Sequence, residues 1–300
     1  MMFHVKQSTY SALEFYNHKF LKKYAMFHVK HSSLILYNAY YGGAIMGKTI
    51  SIFNQKGGVG KTTTCVNLAA ALGDKGKKTL LVDIDPQGNS TSGVGIDKAV
   101  IANSTYDILI NKVPAGDIVT ATEFKNLYLL PATMNLAGAE LELAEMEDRY
   151  TSLKKALAPI VADFDYIIID CPPSLGLLSL NALTASDTLI VPLQCEYYAL
   201  EGLSQLLSTV RTVKQFYNEH LELEGVIYTM YDSRLKLTQQ VIDEVNKYFP
   251  NKAYKTMIPR SVKLAEAPSF GMPIIYYEKY SKPSFAYKKL AAEILSGQKY

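Results

Sequence analysis

A run of glycines, lysines and threonines at positions 55–63 has the composition of a phosphate-binding loop. Glycines let a backbone approach its ligand closely, and consecutive N–H groups at the start of a helix attract anions. We expect the second lysine to reach the terminal phosphates of a nucleotide and the next hydroxyl to bind Mg²⁺. The predicted ATP-binding residues of this run are Lys56, Gly57, Gly58, Val59, Gly60, Lys61, Thr62 and Thr63, with Thr62 as the direct magnesium ligand.

The loop departs from the usual pattern in two positions. That pattern has a glycine five residues before its last glycine. Gln55 stands there instead. In addition to Lys61, the loop has another lysine, Lys56, directly before the glycine pair. A glycine-rich turn with incidental lysines is the alternative interpretation. A β-rich run precedes the loop and a helical pattern follows it, which favours the phosphate-binding interpretation.

Three aspartates follow buried-looking runs elsewhere in the chain. Asp83 and Asp85 come after the apolar run 78–82, and Asp170 comes after 166–169. Ligands of parallel sheets bind at the carboxyl ends of the strands. The sequence therefore predicts that these acids and the glycine loop share one edge of a sheet.

The elements that must position these residues alternate along the chain. Predicted strands cover 49–53, 78–82, 127–130, 166–169, 188–193, 225–230 and 253–258. Predicted helices cover 62–72, 136–148, 152–161, 199–217 and 237–249. Strands that are apolar throughout and separated by helices predict an α/β fold. We expect a parallel, doubly wound P-loop NTPase sheet flanked by helices on both faces.

Several segments together resemble the ParA/MinD superfamily of ATPases, and its ParA/Soj branch in particular. The segment 56–64 is similar to the deviant Walker A motif of that superfamily, and 167–173 resembles its Walker B strand. Further similar segments are 81–89, 196–202 and 258–260. The resemblance runs from Met46 to about Gly297 and does not include residues 1–45.

The resemblance implies roles for individual residues. Lys56 and Lys61 are expected to be catalytic, with Lys56 reaching the nucleotide of the other subunit in an ATP-bound homodimer. Asp85 is expected to position the attacking water. Asp83 is a less certain partner, and a structural role in its loop is the alternative. Asp170 is expected to orient magnesium through water. Pro259 and Arg260 are expected to complete the ATP site. The cofactors implied are ATP and Mg²⁺.

The resemblance also implies binding to double-stranded DNA without sequence preference. The candidate contacts are Arg211, Lys214, Arg234 and Lys255, with Lys263 as a further possibility. Such contacts are made to phosphates and weaken with salt. The family function is segregation of chromosomes or plasmids by a slow ATPase that a ParB-type centromere-binding protein stimulates. A cytoplasmic, nucleoid-associated protein without membrane contact is expected.

Net charge does not by itself indicate a nucleic-acid partner. The chain of 300 residues carries +3. Residues 1–45 hold five of the 31 Lys and Arg and one of the 28 Asp and Glu, so they carry +4. The remaining residues hold 26 bases and 27 acids. Any DNA contact in the main domain must come from a local patch.

Residues 1–45 form a separate segment that repeats itself. Residues 2–7, MFHVKQ, return at 26–31 as MFHVKH. DNA that encodes the repeated peptide can contain TGTTTCACGTGAAACA, which is its own reverse complement and matches the centromere site of the resembled family. We expect this extension to be disordered or to be translated upstream DNA, with the ATPase domain at 46–300 and the natural start at Met46. A basic DNA-binding arm and a chance duplication are the alternatives.

Other function classes stay open at this point. The nearest is a MinD-like membrane-associated positioning ATPase, which needs a basic amphipathic C-terminal helix. Residues 285–295 contain lysines but are expected to pack on the domain. An iron–sulfur reductase would need bridging cysteines, and Cys65, Cys171 and Cys195 do not have that arrangement. A tyrosine autokinase, suggested by Tyr276, Tyr277, Tyr280, Tyr287 and Tyr300, and a non-enzymatic ATP sensor are more distant alternatives.

Overall fold

The computed structural model of the chain describes residues 47–196 and 199–297. The predicted extension 1–45 and Met46 lie outside the described residues. The described strands form one sheet of eight. They are β1 Lys48–Ile52, β2 Thr79–Asp83, β3 Thr120–Ala121, β4 Leu127–Leu130, β5 Tyr166–Asp170, β6 Thr188–Gln194, β7 Glu222–Tyr231 and β8 Ala253–Pro259.

The strand order in the sheet is β3-β4-β2-β5-β1-β6-β7-β8. Every described pairing is parallel except that of β3 with β4, which is antiparallel. Strand β1 lies between β5 and β6, so the loop that follows β1 leaves the middle of the sheet. Asp83 and Asp170 are directly paired at the ends of β2 and β5.

Helices cover both faces of this sheet. They are α1 Lys61–Asp74, α2 Asn89–Gly93, α3 Thr105–Leu109, α4 Ala115–Ile118, α5 Leu136–Ala144, α6 Ser152–Leu157, α7 Leu177–Ala185, α8 Ala199–Phe216, α9 Lys236–Tyr248, α10 Val262–Glu266, α11 Ile274–Tyr277 and α12 Lys282–Ser296. Central strands are apolar because both of their faces are covered. In β2, all five residues are buried.

Two apolar cores lie on the two faces of the sheet. One contains residues of α5 to α9, such as Leu206 and Val245, together with the strand residues that face these helices. The other contains α1, α11 and α12, with Leu68 and Leu290 among its fully buried side chains. Consecutive residues of β5, Ile167 and Ile168, belong to different cores. The sheet is therefore buried from both sides, as a doubly wound fold requires.

The predicted α/β fold is confirmed, with local differences. Helix α5 ends at Ala144 rather than at residue 148. Helix α7, Leu177–Ala185, was not predicted because apolar residues occur all round it and no 3.6-residue period is visible. Strand β3 has only two residues, too few for any periodic signal.

The C-terminal helix packs on the domain, as expected from the sequence. Tyr287, Leu290 and Ile294 of α12 are buried in the core that also contains α1. Within 47–196 and 199–297, the helices are all too short or too polar to span a bilayer.

Candidate ATP site and candidate DNA contacts

The loop after β1 is fixed at its start by Asn54, which the sequence analysis did not single out. Its amide Nδ2 donates to the Pro192 carbonyl of β6 at 2.8 Å, and its Oδ1 accepts from the N–H of Lys56 at 3.0 Å. Because Asn54 is buried, these two bonds replace its hydrogen bonds with water. The entry to the loop is thereby tied to the neighbouring strand.

The loop presents backbone N–H groups with room for a ligand. Gly58 and Gly60 have φ of 73° and 88°, in the left-handed region that favours glycine. Nothing lies within 4 Å of a Cβ built on Gly57 or Gly58. The N–H groups of Gly57, Gly58 and Gly60 have no acceptor among the described residues. Open space beside unpaired amides at the start of α1 fits a phosphate group.

Lys61 is the buried cation of the loop. Its side chain is almost completely buried, and Nζ donates to the Lys56 carbonyl at 3.0 Å. Burial lowers the pKa of this ammonium, and the negative charge of Asp170 opposes the change. A single internal hydrogen bond leaves two of its three donors available for phosphate oxygens.

Lys56 is held within its own chain. Its Nζ forms an ion pair and hydrogen bond with Oε2 of Glu196, just beyond the end of β6. Both side chains are more than two-fifths exposed, so solvent screens the attraction. In this arrangement Lys56 lies beside its own loop and its charge is balanced by a neighbour from the same chain.

Asp170 sits at the centre of a buried polar cluster. Its Oδ2 accepts from Ser90 Oγ at 2.8 Å, and its Oδ1 accepts from Cys65 Sγ at 3.4 Å. The Thr62 hydroxyl also lowers the pKa of Asp170, which places it beside this carboxylate. Burial raises the pKa of Asp170, while these hydrogen bonds oppose the rise. The structure thus brings together Thr62 and Asp170, the two predicted magnesium residues, and adds Ser90 and Cys65, which no sequence pattern had indicated.

Asp83 and Asp85 differ in their surroundings. Both oxygens of Asp83 are used by the protein: Thr91 N and Oγ1 each donate to Oδ2 at 2.8 Å, and Asp85 N donates to Oδ1 at 3.2 Å. Burial raises the pKa of Asp83, and the charge of Asp170 raises it further. Asp85 accepts at Oδ1 from the N–H of Gln87 at 2.9 Å. Asp83 therefore has the contacts of a structural residue.

The negative charge of Asp85 interacts electrostatically with Lys61 of the phosphate-binding loop and with Asp170. Asp85 raises the pKa of Lys61 and that of Asp170 through its charge, although other causes are larger for both. Its side chain is 8% exposed. The structure accordingly brings Asp85 into the same cluster as Lys61 and Asp170.

Two further contacts join the loop to elements that carry basic residues. Gln55 Nε2 donates to Thr209 Oγ1 of α8 at 3.1 Å, so the residue that replaces the usual glycine has a partner on that helix. On the other side, Thr229 Oγ1 of β7 donates to the Val59 carbonyl at 2.8 Å. Neither threonine was predicted from the sequence, since a single buried hydroxyl on a helix or strand has no distinguishing pattern.

Pro259 and Arg260 lie at the end of β8. This is the same edge of the sheet as the loop, but β6 and β7 separate β8 from β1. The N–H of Arg260 donates to the Tyr231 carbonyl at 3.4 Å. The structure does not bring these two residues against the glycines.

The four DNA candidates lie on three elements. Arg211 and Lys214 are on α8, and Lys214 Nζ donates to the Leu221 carbonyl at 2.7 Å. Arg234 follows β7 and pairs with Asp232. Lys255 is on β8 and lines a groove of about 360 Å³ together with Lys282 and Lys289. The candidate DNA contacts therefore come from separate elements.

Comparison with known proteins agrees with this fold. A family model described as an AAA domain matches residues 47–223. The sporulation initiation inhibitor protein Soj of Bacillus subtilis is 59% identical over 249 residues, covering 83% of this chain and 98% of Soj. The chromosome partitioning protein ParA of Myxococcus xanthus is 51% identical over 254 residues, covering 85% of this chain and 90% of that protein.

A solved structure has the same arrangement of elements. It is cobyrinic acid a,c-diamide synthase from Mycobacterium smegmatis, with bound ADP and magnesium. The TM-score is 0.75 with 39% sequence identity, over 85% of this chain and 98% of that one.

Proposed function

The chain belongs to the ParA/Soj family of chromosome-partitioning ATPases, and on that premise we propose that it is a switch in which ATP controls binding to DNA. In the ATP-bound state two copies form a homodimer that binds double-stranded DNA without sequence preference. A ParB-type centromere-binding protein stimulates hydrolysis, and the dimer is released. The protein acts on the nucleoid in the cytoplasm.

One observation carries the nucleotide part of this proposal. Unpaired loop amides, the buried Lys61 ammonium and the Asp170 cluster meet at the carboxyl edge of three adjacent strands. Phosphoryl transfer depends mainly on positioning and charge compensation. An edge of this kind supplies both from preorganised groups, which lose little free energy in reorganisation.

Individual residues have distinct roles in the proposed reaction. The loop amides and Lys61 hold the phosphates of ATP. Thr62 would bind Mg²⁺ directly and Asp170 would orient it through water. Magnesium, when bound with ATP, balances part of the phosphate charge. Asp85 orients the attacking water, and its single described hydrogen bond leaves an oxygen for that purpose.

Through Lys56, dimerisation depends on bound ATP. We assign it a role across the dimer interface, where its charge stabilises the nucleotide of the partner subunit as an arginine finger does. In the single subunit it is paired with Glu196, so this bond must break when the dimer forms. An exposed ion pair of this kind contributes at most about 1 kcal/mol, which a phosphate contact can replace.

The links from the loop to α8 and β7 support control of DNA binding by the nucleotide. Gln55 reaches Thr209, two residues before Arg211. The Val59 carbonyl accepts from Thr229, which is five positions before Arg234 in the sequence. Because one subunit offers few cationic contacts, dimerisation strengthens DNA binding by doubling them. Sequence-independent contacts to phosphate also weaken steeply as salt rises.

The test combines turnover and association. The purified protein is expected to hydrolyse ATP slowly, and faster when DNA and the ParB-type partner are both present. Lys56→Ala is expected to retain nucleotide binding and to lose ATP-dependent dimerisation in analytical ultracentrifugation. Absence of stimulated turnover, or normal dimerisation by Lys56→Ala, would contradict the proposal.

The repeated segment at the start of the chain supports the same partner. We infer that residues 1–45 are translated from DNA carrying two copies of the palindromic site, and that the natural start is Met46. Both copies, at 2–7 and 26–31, allow the palindromic codons. The nucleotide sequence tests this directly, because other codons at Phe3–Lys6 and Phe27–Lys30 would exclude the site.

A further inference from the structure

The loop after β7 contains a two-point ion pair between Asp232 and Arg234. Oδ1 of Asp232 accepts from Arg234 Nε at 2.9 Å, and Oδ2 accepts from Nη2 at 2.6 Å. The backbone N–H of Arg234 also donates to Oδ1, at 3.0 Å. A planar guanidinium matches a carboxylate in this geometry better than any other cation can. The side chain of Arg234 is therefore held over its own loop.

The pair neutralises the charge that Arg234 would offer to a phosphate. These hydrogen bonds lower the pKa of Asp232 to about 2, so the carboxylate is charged at neutral pH. Arg234 is 86% exposed and Asp232 is 26% exposed, and a phosphate approaching the guanidinium therefore also meets the carboxylate. To make a two-point contact with Arg234, a DNA phosphate has to displace Asp232.

The position of this loop relates it to the ATP site. Thr229, whose hydroxyl contacts the Val59 carbonyl, comes three residues before Asp232. Between them Met230 has φ of 50°, a left-handed conformation that is uncommon outside glycine. The pairing of β7 with β8 is also irregular between Tyr228 and Tyr231. The end of β7 is thus irregular between the contact with the phosphate-binding loop and the ion pair.

We propose that Asp232 is a positioning residue that holds Arg234 away from DNA phosphates and so lowers the DNA affinity of the protein. The inference rests on the proposed DNA-binding function and adds a residue that opposes binding. An acidic residue beside a DNA-contacting arginine keeps binding weak in the single subunit, where release is needed. Two copies contacting DNA at once then overcome this restraint.

The test is a double-mutant cycle measured by DNA binding. Asp232→Asn, Arg234→Ala and the double variant are compared with the wild type, using a labelled duplex of arbitrary sequence, Mg²⁺ and a non-hydrolysable ATP analogue. Asp232→Asn is expected to raise affinity by up to about fivefold per subunit, the range of an exposed ion pair. Arg234→Ala is expected to lower affinity, and the double variant is expected to match Arg234→Ala. Asp243→Asn, which removes the same charge on α9, is the control and should leave affinity unchanged.

Three outcomes would overturn the inference. Unchanged or lower affinity of folded Asp232→Asn would mean that the pair does not restrain Arg234. An equal gain in the Arg234→Ala background would mean that Asp232 only repels DNA at a distance. Normal affinity of Arg234→Ala would remove the arginine from the contact while leaving DNA binding to other residues. Failure of the proposed function itself is distinguishable, because then the wild type and every variant would fail to bind. Circular dichroism of each variant verifies folding.

Discussion

The candidate ATP site and the candidate DNA contacts are built in different ways. At the ATP site, groups from β1, β2 and β5 converge because parallel strands end at one edge. The DNA candidates are single side chains on α8, on the loop after β7 and on β8, and the side chains of Lys214 and Arg234 are engaged by neighbours in the same chain. One site is made by the backbone topology, and the other is made by individual charges on a surface.

This difference determines how each region should respond to mutation. A buried, converging site loses function when one member is removed, because the remaining groups cannot rearrange to replace it. Dispersed phosphate contacts contribute separately, so each removal weakens binding by a limited factor.

The largest effect is expected for Lys61→Ala. Its buried ammonium is the main positive charge beside the loop, and removing such a preorganised group costs about a hundredfold or more in turnover. Phosphate release at saturating ATP measures the loss. Lys75→Ala, at the exposed end of the same helix, is the matched control and should behave as the wild type. Near-normal turnover of Lys61→Ala would show that the loop is not the catalytic site.

An intermediate effect is expected for Arg211→Glu. Reversal of one charge removes a phosphate contact and adds repulsion, so we expect DNA affinity to fall roughly tenfold and its salt dependence to become shallower. Lys214→Ala is the comparison: its ammonium already donates to the Leu221 carbonyl, and about a twofold loss is expected. Gel-shift titrations at two salt concentrations distinguish these cases. Retained affinity of Arg211→Glu would remove that residue from the DNA surface.

The smallest effect is expected for Glu196→Gln. This change weakens the ion pair that holds Lys56 in its own subunit, so ATP-dependent dimerisation should occur at a lower protein concentration, by up to about fivefold per subunit. Sedimentation velocity over a concentration series measures the midpoint. Combining the change with Lys56→Ala should abolish the gain. Weaker dimerisation by Glu196→Gln alone would indicate that Glu196 belongs to the interface itself.

The two regions also differ in how far the sequence predicted them. The pairing of the loop with Asp85 and Asp170 could be predicted, because a glycine run and strand-end acids follow a spacing rule. Strand 127–130 was predicted with the bounds that the structure has. Asn54, Ser90 and Thr229 were missed, since their contacts depend on residues more than 75 positions away.

On the DNA side, the sequence supplied candidate cations without their partners. Asp232 and Arg234 are only two positions apart in the sequence, yet that spacing does not predict a contact between two side chains in a loop. The hydrogen bond from the Lys214 ammonium to the Leu221 carbonyl depends on how α8 ends against β7.

In the fold, helix α7 was missed because a helix with apolar residues on all sides has no amphipathic period.

The central position of β1 has a consequence for synthesis of the protein. This strand comes early in the domain but pairs with β5 and β6, which end at Asp170 and Gln194. At about 5–20 residues per second, a ribosome needs roughly 6 to 28 s to make the intervening chain. Until then β1 and its glycine loop lack both neighbours, and long-range parallel pairing is slow. The nascent chain therefore carries a complete nucleotide-binding motif well before it can bind a nucleotide, and ATP can stabilise only the later stages of folding.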